Sequence, residues 1–440
     1  MLILAVRGGR LRIIYYLCTY VLRHYRAAFL YQNNIPKNSR ADMNLSLDIS
    51  LSVILLIAAV AVLYVLLWPV YLWRIRRVTH AVNVANAENV SEEATREESL
   101  PAVSVVIYCS AGENSLRRVL QQVTTQDYPS PFEVIVVTDG QSSECSAVVG
   151  EFRRACPNIY MTYTPDDARN VSRKKLALTL GMKAARYDVV VHTTAAVSID
   201  SDRWLYEMAR PFGSGAVVAI GYAYVLSDKD GKAGRRRRMF NAKADAVTWL
   251  TAAVAGKSYR GAEYNLAYTR QAFFDNKGFS HSLNLHTGDD DLLVYELVSQ
   301  NPGKVAVVLT HDSMPSIVDI APCRFYNRQR RCHQFTGTRL PKCSRRLMAA
   351  GAWMRIASLA LAVAAVVLSD FNVYVGAVAL ALMIAQWLSV AIVWRRAIKA
   401  LHGRAMLWTL PRLSLTRLMA NAKVAIHTMR HHSEYYTWRH

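Results

Sequence analysis

The chain has 440 residues, a formal net charge of +21 and a 52% hydrophobic fraction, high for a soluble enzyme. That length accommodates a catalytic domain of ~200 residues together with further segments. Its seven cysteines form no Cys-x-x-Cys pair, which suits a reducing compartment and argues against a disulfide frame or a zinc site.

Residues 1–48 form a basic extension. Its short apolar run, Ile13 to Leu22, lies among arginines without a signal-peptide cleavage pattern. Because Met43 stands six residues before the first long apolar run, residues 1–42 read either as an extension outside the native chain or as a peripheral basic arm. Ile49 to Trp73 then runs 25 residues without a charge, enough to cross a hydrocarbon core of about 30 Å as a helix. Arg74, Arg76 and Arg77 place its far end on the cytoplasmic side. Residues 74–100 read as a linker, polar and acidic from Asn83 to Ser99.

From Pro101 the pattern changes. Val103 to Ile107 is a buried strand, and Leu116 to Val123 follows with helical spacing. Gln126-Asp127-Tyr128-Pro129 turns the chain into a second strand, Phe132 to Val137, ending at Thr138-Asp139-Gly140. Lys174 to Ala185 reads as an amphipathic helix and Asp188 to Val191 as another strand. The alternation predicts an α/β domain over residues 101–320, with a mostly parallel sheet and helices on both faces. Ligands of such sheets bind at the carboxyl ends of the strands, where Asp139 and the Thr193-Thr194 pair lie. Arg235 to Arg238 follow a hairpin-like tip, Ser227 to Lys232, and read as a solvated loop or a lipid-facing contact.

Three consecutive carboxylates, Asp289, Asp290 and Asp291, follow Gly288 and precede Leu292-Leu293-Val294. Like charges at this density repel, so they belong beside positive charge or where one of them acts as a base. A helix N-terminus, which favours acidic residues, is the other reading. Residues 321–346 then lead into Leu347 to Ser369, interrupted only by Arg355, and Phe371 to Trp394, with Asp370 and Asn372 forming a tight turn between two antiparallel membrane helices. For the first of these two runs a buried or interfacial helix is the alternative, because of Arg355. Arg345, Arg346, Arg395, Arg396 and Lys399 flank the pair on the cytoplasmic side, which puts residues 74–346 in the cytosol. The tail, residues 395–440, mixes Trp408, Leu410, Leu413, Leu415 and Leu418 with Arg404, Arg412, Arg417 and Lys423. Such an amphipathic segment lies on a membrane surface or covers the soluble domain. The basic residues cluster beside the apolar runs and in the tail, so a lipid bilayer, rather than nucleic acid, is their expected partner. A transporter would need more spans and more intramembrane polar residues.

Several pieces, taken in order, resemble membrane-bound, processive-type family 2 glycosyltransferases with the GT-A fold. They are Val-Ser-Val-Val-Ile at 103–107, Gln-Asp-Tyr-Pro at 126–129, Val-Ile-Val-Val-Thr-Asp-Gly at 134–140, Ser-Arg-Lys-Lys-Leu-Ala-Leu at 172–178, Asn265-Leu-Ala-Tyr268 and Gly-Asp-Asp-Asp at 288–291. The resemblance implies a nucleotide-sugar donor, a UDP-sugar first, and a glycan or lipid-linked acceptor. It implies Asp290 as catalytic base with Asp289 as its neighbour. Asp139, Lys174, Lys175 and Thr194 fall at donor-side positions; Asn265, Tyr268, Gln329, Arg330 and His333 fall at acceptor-side or interfacial ones. On the residues alone, Asp139 could equally cap a turn and Lys174 and Lys175 could begin a solvated helix.

The sequence also departs from the family pattern. Where Asp-x-Asp usually holds Mg²⁺ or Mn²⁺, this chain has Thr194-Ala195-Ala196, which lacks the charged oxygens such an ion prefers, so no metal ligand is assigned. Ala111-Gly112 replaces Asn-Glu in the first loop, and Cys332 stands where the Gln-x-x-Arg-Trp motif starting at Gln329 expects arginine. Two readings follow: a working transferase that offsets the diphosphate charge with lysines and arginines, or a degenerate relative serving as a binding or partner subunit.

Overall fold

The computed structural model of the chain describes residues 51–62, 68–92, 100–110, 112–168, 171–225, 233–318, 323–403, 410–431 and 436–437. In chain order, helices α1 (Leu51–Val62) and α2 (Trp68–Glu92) come first. Strand β1 (Val103–Cys109), α3 (Glu113–Thr124), β2 (Phe132–Thr138), α4 (Ser143–Ala155), β3 (Ile159–Tyr163), α5 (Arg173–Ala184) and β4 (Val189–Thr194) then alternate. After β5 (Val197–Ser198) and α6 (Trp204–Gly213) come β6 (Val218–Ile220), β7 (Tyr224–Val225), α7 (Ala233–Val254), β8 (Leu266–Thr269) and α8 (Arg270–Asp275). The chain continues through α9 (Leu292–Gln300), β9 (Val305–Val307), β10 (Ser316–Ile317), α10 (Cys323–Gly337), α11 (Lys342–Leu368), α12 (Val373–Ala400) and α13 (Leu410–Arg430).

Seven strands make one mixed sheet in the order β3-β2-β1-β4-β8-β6-β9. The first four are parallel, with Val105 opposite both Val134 and Val191; β8 runs antiparallel to β4 and β6. The unbroken Val/Ile runs suit strands covered on both faces. Alternate residues of β1 feed two cores: Val103, Val105 and Ile107 pack with α3, α4 and α6, while Val106 and Tyr108 pack with α5, α9, α7, α2 and α12. The strands expected near 103–107, 132–137 and 188–191 and the helix near 174–185 are all present, each extended or shifted by one to three residues.

Helix α5 lies so close to β1 that a Cβ at Gly181 would stand 2.5 Å from Val106 Cγ1. Gly181→Ala should therefore cost about 1–3 kcal/mol through overpacking. Denaturant unfolding reads this as a lower midpoint with an unchanged m-value; an unmoved midpoint would mean the helix can back away freely.

Three expectations change. Much of the presumed linker is helix: α2 continues to Glu92, because Ile75, Val78 and Val82 form an apolar stripe that is buried in the core. The arginines 235–238 begin α7 instead of lying in a loop, since the residues that follow, Met239 and Phe240 among them, bury one side of a continuous helix. The hairpin tip before them lies outside the described residues, as do residues 1–50. Among the described residues only α12 is long and apolar enough to cross a membrane. The run 347–369 falls on α11, whose apolar part is Ile356–Leu368, because Arg355 interrupts the run. The first run, 49–73, falls on α1, on the start of α2 and on residues outside the described set. The tight turn does separate α11 from α12: Asp370 and Phe371 adopt φ of 48° and 60°, and the Asn372 side chain accepts hydrogen bonds from the backbone N–H groups of Tyr374 and Val375.

The tail helix α13 covers the α/β domain. Arg417 donates to the Asn241 carbonyl at 2.9 Å and to Asp245 at 2.7 Å, and Arg330 donates to Asn421 at 2.6 Å. The apolar–basic pattern that suits a lipid surface is here met by Asp245 of α7 and by α10.

Candidate active site

The three acidic residues before α9 take three different roles. Gly288 adopts φ +121°, a conformation that side chains rarely tolerate, and aims the following residues inward. Asp289 pairs with Lys174 at 2.6 Å. Asp290 meets Arg260 Nη2 at 3.2 Å through one oxygen and His333 Nε2 at 3.1 Å through the other. Asp291 caps α9, accepting from the Leu292 N–H at 2.7 Å, and takes a hydrogen bond from Thr336 Oγ1. The helix N-terminus reading is therefore correct for Asp291 alone. All three acids are buried.

Burial pushes the Asp290 carboxyl up, but His333 and Arg260 outweigh it and hold the group well below the usual carboxylate range. Asp291 is pushed up by burial and by the charge of Asp290. Burial and Arg260 press the His333 pKa down, yet Asp290 prevails and raises it. Arg260 Nη2 also lies 2.7 Å from His333 Nδ1, which leaves Nε2–H to face Asp290 when the ring is neutral.

Lys174 and Lys175 separate. Neighbouring helix residues point in different directions, and only Lys174 enters the acidic cluster, held by Glu263 at 2.5 Å and by Asp289. These two carboxylates overcome burial and raise its pKa well above the ordinary lysine value. Lys175 is fully buried, donating to the carbonyls of Ser282 at 2.5 Å and Thr287 at 2.7 Å, and burial brings its pKa down to about 8. It braces the loop before Gly288.

Of the other positions expected on the donor side, Asp139 follows β2 and Thr194 ends β4, at the carboxyl ends of parallel strands, beside Tyr108 near the end of β1. Asp139, after β2, is partly exposed and pairs with Arg173 at 3.0 Å. The phenol of Tyr108, at the end of β1, is pushed up to about 12 by burial and by Asp139, and also feels Lys174 and Asp289. Thr194 is buried, its hydroxyl accepting from the Ala196 N–H at 3.2 Å, and Thr193 donates to the Tyr264 carbonyl at 3.0 Å.

A divalent ion does not fit these residues as they stand. The end of β4 offers hydroxyls already engaged and no carboxylate. Asp290, Asp291 and His333 bring ligand-type atoms within 4.8 Å of one another. However, the Arg260 guanidinium lies against Asp290 and His333, where a cation would sit, and Asp291 is committed to Leu292 and Thr336.

The acceptor-side positions divide. Gln329 donates to Glu263 at 2.8 Å and His333 holds Asp290, so α10 does reach the site. Arg330 faces away, toward Asn421 and Asp245. Asn265 and Tyr268 lie in the core: Asn265 donates to the Tyr222 and Ser313 carbonyls and accepts from Trp204 Nε1, while Tyr268 stacks on His192 with ring centroids 4.5 Å apart. Tyr268 lies on β8 and Asn265 directly precedes it; β8 runs between β4 and β6, and both side chains are fully buried. Sequence reasoning missed Arg260, Glu263, Arg173, Thr336 and Tyr108. Glu263 stands inside the Gly261-Ala262-Glu263-Tyr264 segment, where a lone acid opposite a lysine pair was the available signal; Arg260 had none.

The sequence model of the family described as glycosyl transferase family 21 matches residues 53–439. No curated protein sequence matches the chain. Among solved structures, the chain is similar to the mannosyltransferase PcManGT from Pyrobaculum calidifontis in complex with GDP-Man and Mn²⁺, at 16% identity over 79% of this chain and 99% of that one, with a TM-score of 0.47. It is also similar to glucosyl-3-phosphoglycerate synthase from Mycobacterium tuberculosis in complex with Mn²⁺, UDP and glucosyl-3-phosphoglycerate, at 14% identity over 62% of this chain and 83% of that one, with a TM-score of 0.35.

Proposed function

The chain belongs to glycosyl transferase family 21, and on that premise we propose that it moves a sugar from a nucleotide-diphosphate donor, a UDP-sugar first, to a lipid-linked or glycan acceptor at the cytoplasmic face of a membrane. The observation that carries this reading is the buried Asp290 carboxylate held between the half-buried Arg260 and His333, next to Asp289, which pairs with Lys174 of α5. The transfer inverts the anomeric centre in one displacement. Asp290 accepts the acceptor hydroxyl's proton, and the leaving diphosphate takes the bonding electrons.

A base held far below its ordinary pKa accepts a proton poorly until its partners leave. Arg260 is the more exposed of the two partners, its side chain 22% accessible against 11% for His333. An acceptor hydroxyl that displaces Arg260 raises the basicity of Asp290 in part, His333 remaining in place, and frees a guanidinium for the developing phosphate charge. On the donor side, Arg173 and Lys174 exchange Asp139 and Asp289 for the ribose–diphosphate of the donor. Anchoring in this reading rests first on the span 371–394, with the apolar runs 49–73 and 347–369 as further membrane segments. The exposed apolar face of α12, including Val373, Leu380 and Ile392, supports the span 371–394.

Donor turnover by the purified protein across a panel of nucleotide sugars, with and without Mn²⁺ or a chelator, tests the reading. Hydrolysis or transfer of one donor that persists in chelator is expected, because Arg260 and Lys174 stand in for the ion. Strict dependence on Mn²⁺ would overturn that substitution. Donor binding without turnover would favour the binding or partner-subunit role.

A further inference from the structure

We propose that Tyr436 is a positioning residue for the Asp290–His333 pair, clamping the loop that carries one and the helix that carries the other. The inference rests on the proposed role of Asp290 as base. Tyr436 is 1% exposed. Its ring stacks on Phe335 of α10, with centroids 4.4 Å apart and planes 8° from parallel. Phe335 lies two residues after His333 and next to Thr336, the partner of Asp291. The Tyr436 carbonyl accepts from the His286 N–H at 3.1 Å, and Thr437 pairs with Leu285 in an antiparallel bridge. Its hydroxyl lies 3.3 Å from His427 Nδ1 on α13, and His427 in turn takes a hydrogen bond from Arg331 of α10 at 3.0 Å.

The loop held from outside by residues 436–437 is held from inside by Lys175, whose ammonium bonds the carbonyls of Ser282 and Thr287. Gly288 and the three acids follow directly. One residue thus touches both elements whose separation sets the distance between Asp290 and His333, α10 through its ring and the loop through its main chain. A core aromatic would fill space on one side only; Tyr436 joins a loop to a helix through its ring and its main chain together. Loosening it lets the loop and α10 drift apart, and misplacement of about 1 Å can cost on the order of 100-fold in rate.

The test uses the full chain with Tyr436→Ala, Tyr436→Phe and Phe335→Leu, assayed with whichever donor the wild-type protein turns over. Tyr436→Ala should lower kcat by about 10-fold or more while donor KM stays within about twofold, since donor contacts lie at the strand ends. Its pH–rate profile should show the acid limb moved to higher pH, because Asp290 loses His333, the partner on α10 that keeps its pKa low. Tyr436→Phe keeps the stack and the main-chain pairing, so it should stay within about threefold of wild type. If Tyr436→Ala does not fold, Phe335→Leu decides: a reduced kcat with the same acid-limb shift supports the clamp, and wild-type behaviour overturns it. Wild-type kcat and pH profile in folded Tyr436→Ala, or equal damage from Tyr436→Phe, overturns this inference alone; absence of any donor turnover by the wild-type protein overturns it together with the reading beneath it.

Discussion

Replacing Asp290 with asparagine should abolish measurable sugar transfer, a loss of about 10²–10⁴ in kcat, while donor affinity stays nearly intact. The substitution keeps the side chain's shape, but its single carbonyl oxygen accepts from only one of Arg260 and His333, and it removes the negative charge able to take a proton. Breaking a buried ion pair ordinarily costs about 3–5 kcal/mol. Here the cost should fall below that range, because the Arg260 charge is also favoured by Asp291 and Asp245. Isothermal titration with the donor, beside a transfer assay, separates the two effects. Full activity in this variant would remove Asp290 from the base role.

Lys174→Met should be the most damaging single change to the donor side. It leaves Glu263 and Asp289, with side chains 15% and 8% exposed, facing each other without their shared cation. A loss of about 3–5 kcal/mol in unfolding free energy is expected, along with donor affinity weaker by about 10–100-fold from the missing contact to diphosphate. Adding Asp289→Asn should recover part of the stability, by removing one orphaned charge, and none of the affinity. Denaturant midpoints and donor titrations read the two separately. If Lys174→Met binds donor as the wild type does, the diphosphate is held elsewhere. Lys175→Met should instead leave the loop before Gly288 without its internal brace, so the two adjacent lysines should fail in different ways.

His333 adds a pH dependence with a definite sign. Its folded pKa is raised above the ordinary value of 6.5, so its pairing with Asp290 stabilises the fold fully below about pH 6.5 and less as pH rises through the folded value. His333→Gln should flatten that decline in a plot of unfolding free energy against pH; an unchanged slope would assign the decline to another group.

How much of this was legible beforehand depends on the range over which each feature is encoded. The strands around 103–109 and 132–138, the helix after Ser172 and the turn at Asp370 follow from local periodicity and turn chemistry, and they were readable. The acids at 289–291 were visible as a cluster, but their division of labour was not. Asp290 meets residues 30 and 43 positions away, and no local rule says which charged group arrives there. Asn265 and Tyr268 lie in the core for a related reason: a family motif marks a place in the chain, whereas the packing around β8 decides which of its side chains are buried.

By itself, then, the amino-acid order determined the strand–helix alternation, the apolar runs, the missing carboxylates after β4 and the presence of an acidic turn, because each depends on neighbours a few residues apart. Tertiary structure alone decided that Arg260 stands against Asp290, that Lys175 serves the backbone, and that the basic tail covers protein. Those outcomes depend on which charges are buried together. Burial makes an unpaired charge costly, so partners remote in the chain are selected when the core closes.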